Sequence, residues 1–149
     1  MEDYDDAELI YNLVKDQWSL DPWDMPEIRF EPEALMVNAR NGLIYISSMS
    51  QTTQIASIDY GYVTQTGFVS VRLSSRFRVD HFRWRNEIWR ILMASRRLGR
   101  PDGRLGNYTF LEVTRTHRMN DLSGWYVTVF DIRLTGNCIP IDTTGLGSV

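Results

Sequence analysis

Between Gly67 and Leu98 the spacing of the apolar residues changes from two to between three and four, and few architectures accommodate such a change over thirty residues. In the first part Val69, Val71, Leu73 and Phe77 share one face, while Ser70, Arg72, Ser74 and Arg76 share the other. Alternate residues of a strand point to opposite faces, so this pattern predicts a strand over 67–77 with one buried side. From Val79 to about Leu98, Trp84, Ile88, Ile91, Leu92 and Leu98 form one broad helical stripe, with Gly99 and Pro101 placed to end the helix. A half-buried strand feeding an amphipathic helix calls for a core between a sheet and a helix laid on it.

The remaining segments fit this plan. Leu9, Leu13 and, beside them, Ile10, Val14 and Trp18 recur at helical spacing, which predicts a first helix over 5–17 whose early acids suit the helix dipole. The run 19–26, with Pro22 and Pro26, stops it, because proline lacks the backbone donor a helix needs. β-rich runs follow at 27–30, 43–48 and 54–62. After a loop over 99–107, two further strands are expected at 108–116 and 124–135, joined as a hairpin around Met119, Asn120 and Asp121. Leu111, Val113, Phe130, Ile132 and Leu134 supply their inward positions. The order predicts a single α+β domain over 1–149, a mostly antiparallel or mixed sheet packed by an N-terminal helix and a longer central helix. Residues 1–4 and 142–149 are expected to be flexible tails or to be ordered by a partner.

On the central helix Phe82, Trp89 and Met93 fall outside the main stripe, separated from it by Arg78, Arg85 and Arg96 and flanked on the other edge by Arg90 and Arg97. A helix on one sheet needs a single apolar face. The second stripe is therefore covered either by the N-terminal helix or by another subunit, and Phe82, Trp89 and Met93 with Arg78, Arg85, Arg90 and Arg96 are the candidate subunit interface.

Charge is distributed unevenly along the chain. The first 33 residues hold eleven of the nineteen acids and only Lys15 and Arg29 as bases, whereas Arg76 to Arg104 holds nine arginines against Asp80, Glu87 and Asp102. Opposite poles on one small domain suit head-to-tail contact between copies, although both also fit solvated faces. Arginines interleaved with Phe82, Trp84 and Trp89 fit a small nucleic-acid-binding protein as a competing reading, against which stands a net charge of −3. No apolar run is long enough to cross a bilayer, so no membrane partner is expected, and the acidic beginning is unlike a signal peptide.

Chemistry-bearing patterns are sparse. Cys138 has no second cysteine to pair with, and together with the distant His81 and His117 it does not make a metal set. Neither histidine is set beside a nucleophile, and both read as ordinary surface or interface residues. The glycines of 99–106 follow a helix and read as a turn, not a phosphate loop. The expectation is a non-enzymatic protein without catalytic residues, metal or cofactor, made in a reducing cytoplasm.

A short acidic helix, paired strands, the run Tyr60-Gly61-Tyr62-Val63-Thr64-Gln65-Thr66-Gly67-Phe68-Val69-Ser70-Val71-Arg72-Leu73-Ser74-Ser75-Arg76, a long helix ending in small and basic residues, and a closing strand pair resemble the tail-terminator, or tail-completion, proteins of long-tailed phages and archaeal viruses. The resemblance covers nearly the whole chain and lies in the order of elements. It implies a virion structural protein, without enzymatic activity, that forms a ring, generally hexameric. Such a ring caps the tail tube and presents a face to the neck or head-completion protein. It also implies at most weak contact between lumen-facing arginines and passing DNA, for which Arg97, Arg100 and Arg104 are the candidates. Another neck or tail part, such as an adaptor or a tube subunit, shares similar α+β cores.

Overall fold

A computed structural model describes residues 6–21, 24–30, 42–57, 62–96, 108, 110–120 and 124–138. Among them are two helices and one five-stranded sheet, in the order α1 (Asp6–Gln17), β1 (Glu27–Phe30), β2 (Gly42–Ser57), β3 (Tyr62–Ser75), α2 (Arg78–Ala94), β4 (Phe110–Asn120) and β5 (Tyr126–Cys138). The strands lie side by side as β1-β2-β3-β5-β4. β1 runs parallel to β2, and the other neighbours are antiparallel, so the sheet is mixed and the domain is α+β.

Alternation in β3 decides which side of the sheet is covered. Val69, Val71 and Leu73 are fully buried, and their neighbours across the ladders are Ile44 and Ile46 on β2 and Thr128, Phe130 and Ile132 on β5. Against this face α1 inserts Leu9, Ile10, Leu13 and Val14, and α2 inserts Trp84, Ile88, Ile91 and Leu92. α1 lies over β1 to β3 and α2 over β3 to β5, and the helices touch each other, so one core serves all seven elements. Tyr11 and Phe30 pack with their ring centres 4.7 Å apart and close the β1 edge of that core.

Several expected boundaries move. The runs at 43–48 and 54–62 are not separate strands: β2 is continuous to Ser57, and Tyr62 begins β3. The polar stretch from Ser47 to Gln54 conceals this, because Ser48, Met49, Ser50 and Thr52 are exposed and pairing with β3, not burial, holds them extended. Phe77 does not continue the buried face of β3. It stands at the N-cap of α2, 52% exposed, while Ser75 takes the last buried strand position. α2 ends at Ala94, short of Leu98, and just beyond it the Arg96 carbonyl accepts a hydrogen bond from the Leu111 N–H of β4 at 3.1 Å. Leu98, Gly99, Pro101 and the terminal tails lie outside the described residues. β4 starts two residues later than expected and runs on to Asn120. Tyr108 sits ahead of it, buried, with its hydroxyl 3.1 Å from both carboxylate oxygens of Asp6.

That last contact takes Asp6 out of the acidic pole that fitted either a solvated face or a contact between copies. Asp6 is 4% exposed and begins α1 over Gly67 of β3, where a Cβ atom would fall within 2.6 Å of the Tyr108 hydroxyl and closer still to Asp6. Beside it the Ala7 N–H donates to Ser48 Oγ at 3.0 Å.

A second polar lock fastens the other end of α1. Glu87 of α2 is buried, and its carboxylate accepts from the Ser19 N–H at 2.5 Å, the Ser19 hydroxyl at 2.8 Å and Arg90 Nε at 2.7 Å. Arg90 also donates to the Gln17 carbonyl at 2.7 Å, satisfying one of the acceptors α1 leaves open at its C-terminus. Burial alone would raise the Glu87 pKa, but the hydrogen bonds from Arg90 and Ser19 outweigh it and hold the group down at about 2. Glu87→Gln removes the charge and one acceptor while keeping the size, and is expected to cost about 1–3 kcal/mol. Urea unfolding of the two proteins at pH 7 measures it, and equal midpoints would show the lock to be dispensable.

Candidate functional site

The side of α2 turned away from the sheet carries the second apolar stripe. Phe82 is 55% and Trp89 44% exposed, and Met93, one turn beyond Trp89, is half-buried. Positions 82, 89 and 93 fall close together on a helical wheel, roughly opposite Trp84, Ile88 and Ile91, which explains why the sheet does not reach them. α1 leaves the first two uncovered. Of the two coverings open to this stripe, the N-terminal helix does not supply the one over Phe82 and Trp89.

The arginines around the stripe are not equivalent. Arg85 is half-buried and lies over the Phe82 ring with its guanidinium carbon 4.6 Å from the ring centre. Arg78 and Arg96 are exposed, and among the described residues no carboxylate pairs with Arg78, Arg85 or Arg96. Arg90 is placed differently: although its side chain is 48% exposed, it is held by Glu87 and the Gln17 carbonyl and is committed to joining α1 to α2. Arg97, Arg100 and Arg104, the arginines assigned to DNA, lie outside the described residues.

The charge poles read along the chain are partly paired within the molecule. Asp24 forms an ion pair with Arg83 on α2, and Asp80 bonds the same guanidinium at 3.2 Å. Glu27 pairs with Arg29 at 2.8 Å. Opposition along the sequence is therefore only in part opposition across the surface, and Glu8 and Asp16 remain as exposed acids of α1.

His81 corrects the expectation of an ordinary surface or interface histidine. It lies in the first turn of α2 and is 8% exposed, with Nδ1 2.9 Å from Ser75 Oγ and Nε2 2.7 Å from Thr128 Oγ1. Hydroxyls both donate and accept, so either neutral tautomer is satisfied. Burial lowers its pKa to about 4, and the positive charges of Arg85 and then Arg118 push in the same direction. At neutral pH the ring is uncharged and serves as a strut between α2 and β5. His117, half-buried on β4, stands 3.9 Å from Asp131.

Beyond His81 the structure opens a cavity of about 450 Å³ between the start of α2 and the β4–β5 hairpin. Arg78, Phe82 and Arg85 line it from the helix, and Arg118, Trp125 and Tyr126 from the hairpin. Sequence reasoning found the helix half of this wall and missed the other, since nothing in the spacing of 118, 125 and 126 links them to a helix forty residues earlier. Among the described residues no three His, Cys, Asp or Glu side chains come together as a metal site, and no helix is long and apolar enough to cross a membrane. Compared with protein-family models and with curated proteins, the chain gives no match.

Proposed function

We propose that this protein is a structural, non-enzymatic subunit of a ring in the neck or tail of a long-tailed virus, a tail terminator that caps the tube and joins it to the neck. The observation that carries the reading is the outward face of α2, where Phe82 and Trp89 stand exposed beside arginines that have no carboxylate partner among the described residues. A free monomer gains nothing from two large aromatic side chains held in water, whereas a neighbouring copy removes them from it at about 25 cal/mol per Å². Exposed charge pairs contribute only about 0–1 kcal/mol each, so the apolar stripe supplies the affinity and the arginines select orientation. The element order that resembles tail terminators supports the closed ring, because a heterologous contact repeated by rotation either closes or grows into a filament.

The expected result is a discrete ring-sized species in light scattering after gel filtration, and a monomer for Trp89→Asp with an unchanged circular dichroism spectrum. A chain that remains monomeric at high concentration would sink the proposal. An unfolded Trp89→Asp variant would place the stripe in the monomer core instead.

A further inference from the structure

We propose that the cavity between the start of α2 and the β4–β5 hairpin is a binding site for a nucleotide unit, a phosphate with its attached base, presented by a single strand of nucleic acid or by a free nucleotide. Three guanidinium groups, Arg78, Arg85 and Arg118, line one concavity of about 450 Å³, within the usual range of about 300–1,000 Å³ for small-ligand pockets.

Four arginines elsewhere have carboxylate partners: Arg29 has Glu27, Arg83 has Asp24 and Asp80, Arg90 has Glu87 and Arg133 has Glu112, while Arg72, Arg76, Arg96 and Arg115 stand singly along the described surface and do not line this cavity. Among the described residues none of the three cavity arginines has a carboxylate partner. Three like charges around one hollow repel each other, and a bound anion relieves that repulsion. The planar guanidinium fork suits phosphate oxygens in particular. The field is strong enough at His81, on the cavity wall, for Arg85 and Arg118 to disfavour a proton there.

Charge alone would serve an acidic peptide equally well, and the aromatic side chains decide between them. Trp125 is half-buried on the wall, and Tyr126 is 44% and Phe82 55% exposed. Aspartate and glutamate have no use for flat apolar faces, whereas a base stacks on them. A base paired inside a duplex cannot, so the site selects unpaired nucleotides. Phe82, Arg78 and Arg85 border both this cavity and the outward stripe of α2, whereas Arg118 and Trp125 belong to the cavity alone, so variants at 118 and 125 test the nucleotide site apart from the ring proposed above.

The test is fluorescence anisotropy of a dye-labelled oligothymidylate at several salt concentrations, with thymidine monophosphate, a duplex of equal length and an oligoglutamate peptide as competitors. One phosphate neutralised in the cavity predicts a slope of about −0.7 for log affinity against log salt on a single strand. Arg118→Ala should weaken binding and flatten the slope, and Arg118→Lys should restore the slope. Trp125→Leu should weaken binding about tenfold with the slope unchanged. Competition by thymidine monophosphate in proportion to its phosphate supports the same site fed by free nucleotide, and its failure to compete assigns the site to a strand. Stronger competition by oligoglutamate, equal competition by the duplex, or an affinity unmoved by Arg118→Ala would overturn the proposal. Arg118 is exposed on an edge strand, so its variants answer the question even if Trp125→Leu unfolds.

Discussion

Replacing Trp84 with alanine is expected to destabilise the protein by about 4 kcal/mol, the largest loss for any single position in α2. Trp84 is 3% exposed and joins the helix to the sheet at the start of β2, where Gly42 leaves room for its ring. A Cβ on residue 42 would collide with that ring and stand 3.1 Å from Pro26 Cβ, so the glycine, the proline ahead of β1 and the tryptophan form one fitted contact. Removing the indole leaves a cavity between rigid strands that cannot collapse to fill it, which places the cost at the upper end of the range for large-to-small changes. Among the described residues the indole Nε1 has no hydrogen-bond partner, so Trp84→Phe gives back part of the loss and should cost clearly less than the alanine variant. Gly42→Ala should cost about 1–3 kcal/mol by overpacking. In the Trp84→Ala background that cost should largely disappear, since residues in contact do not act additively. Urea midpoints of the wild type and the four variants measure all of this. A Trp84→Ala loss below about 1.5 kcal/mol, or additive effects at 42 and 84, would show that the contact does not hold α2 on the sheet.

What could be read in advance follows from how each segment is held. β3 and α2 were legible because one face of each is fully buried, and burial imprints its period on the choice of residues: Val69, Val71 and Leu73 in one, Trp84, Ile88 and Ile91 in the other. The far part of β2 was not, because its Ser, Thr and Gln residues are fixed by ladder hydrogen bonds to β3, which make no demand on side-chain polarity. Buried polar residues were the least legible. Asp6, Glu87 and His81 look like surface residues in isolation, and become interior ones only through Tyr108, Ser19, Ser75 and Thr128, partners brought by the fold from other elements. The same holds for the cavity, whose arginine and aromatic walls meet only when the β4–β5 hairpin returns beside α2. The outward stripe of α2 was visible as a second period on one helix, yet whether α1 would cover it depended on where α1 docks, and it docks over β1 to β3.

Acidification from pH 7 to 4 is expected to remove about 3 kcal/mol of stability through His81 alone. Its pKa falls from 6.5 in the unfolded chain to about 4 in the folded protein, so between those values the unfolded state binds the proton and the folded state refuses it. Stability from this group is therefore complete above pH 6.5 and declines as the pH falls towards 4, at about 1.4 kcal/mol for each pH unit inside the window. Glu87 acts lower down: its pKa is held at about 2 against 4.5, so its contribution persists to about pH 4.5 and is lost only below that. Urea midpoints at pH 7, 5.5 and 4.5 thus isolate the histidine, and His81→Gln, which cannot take up a proton, should flatten the curve over that interval while leaving the fall below pH 4.5. Because the Arg118 charge adds to burial and to Arg85 in repelling a proton, Arg118→Ala should move the lower end of the window upwards and shrink the loss. A wild-type curve that is flat from pH 7 to 4.5, or one that His81→Gln leaves unchanged, would mean that the ring is hydrated and charged in the folded protein and that the strut between α2 and β5 is not closed to water.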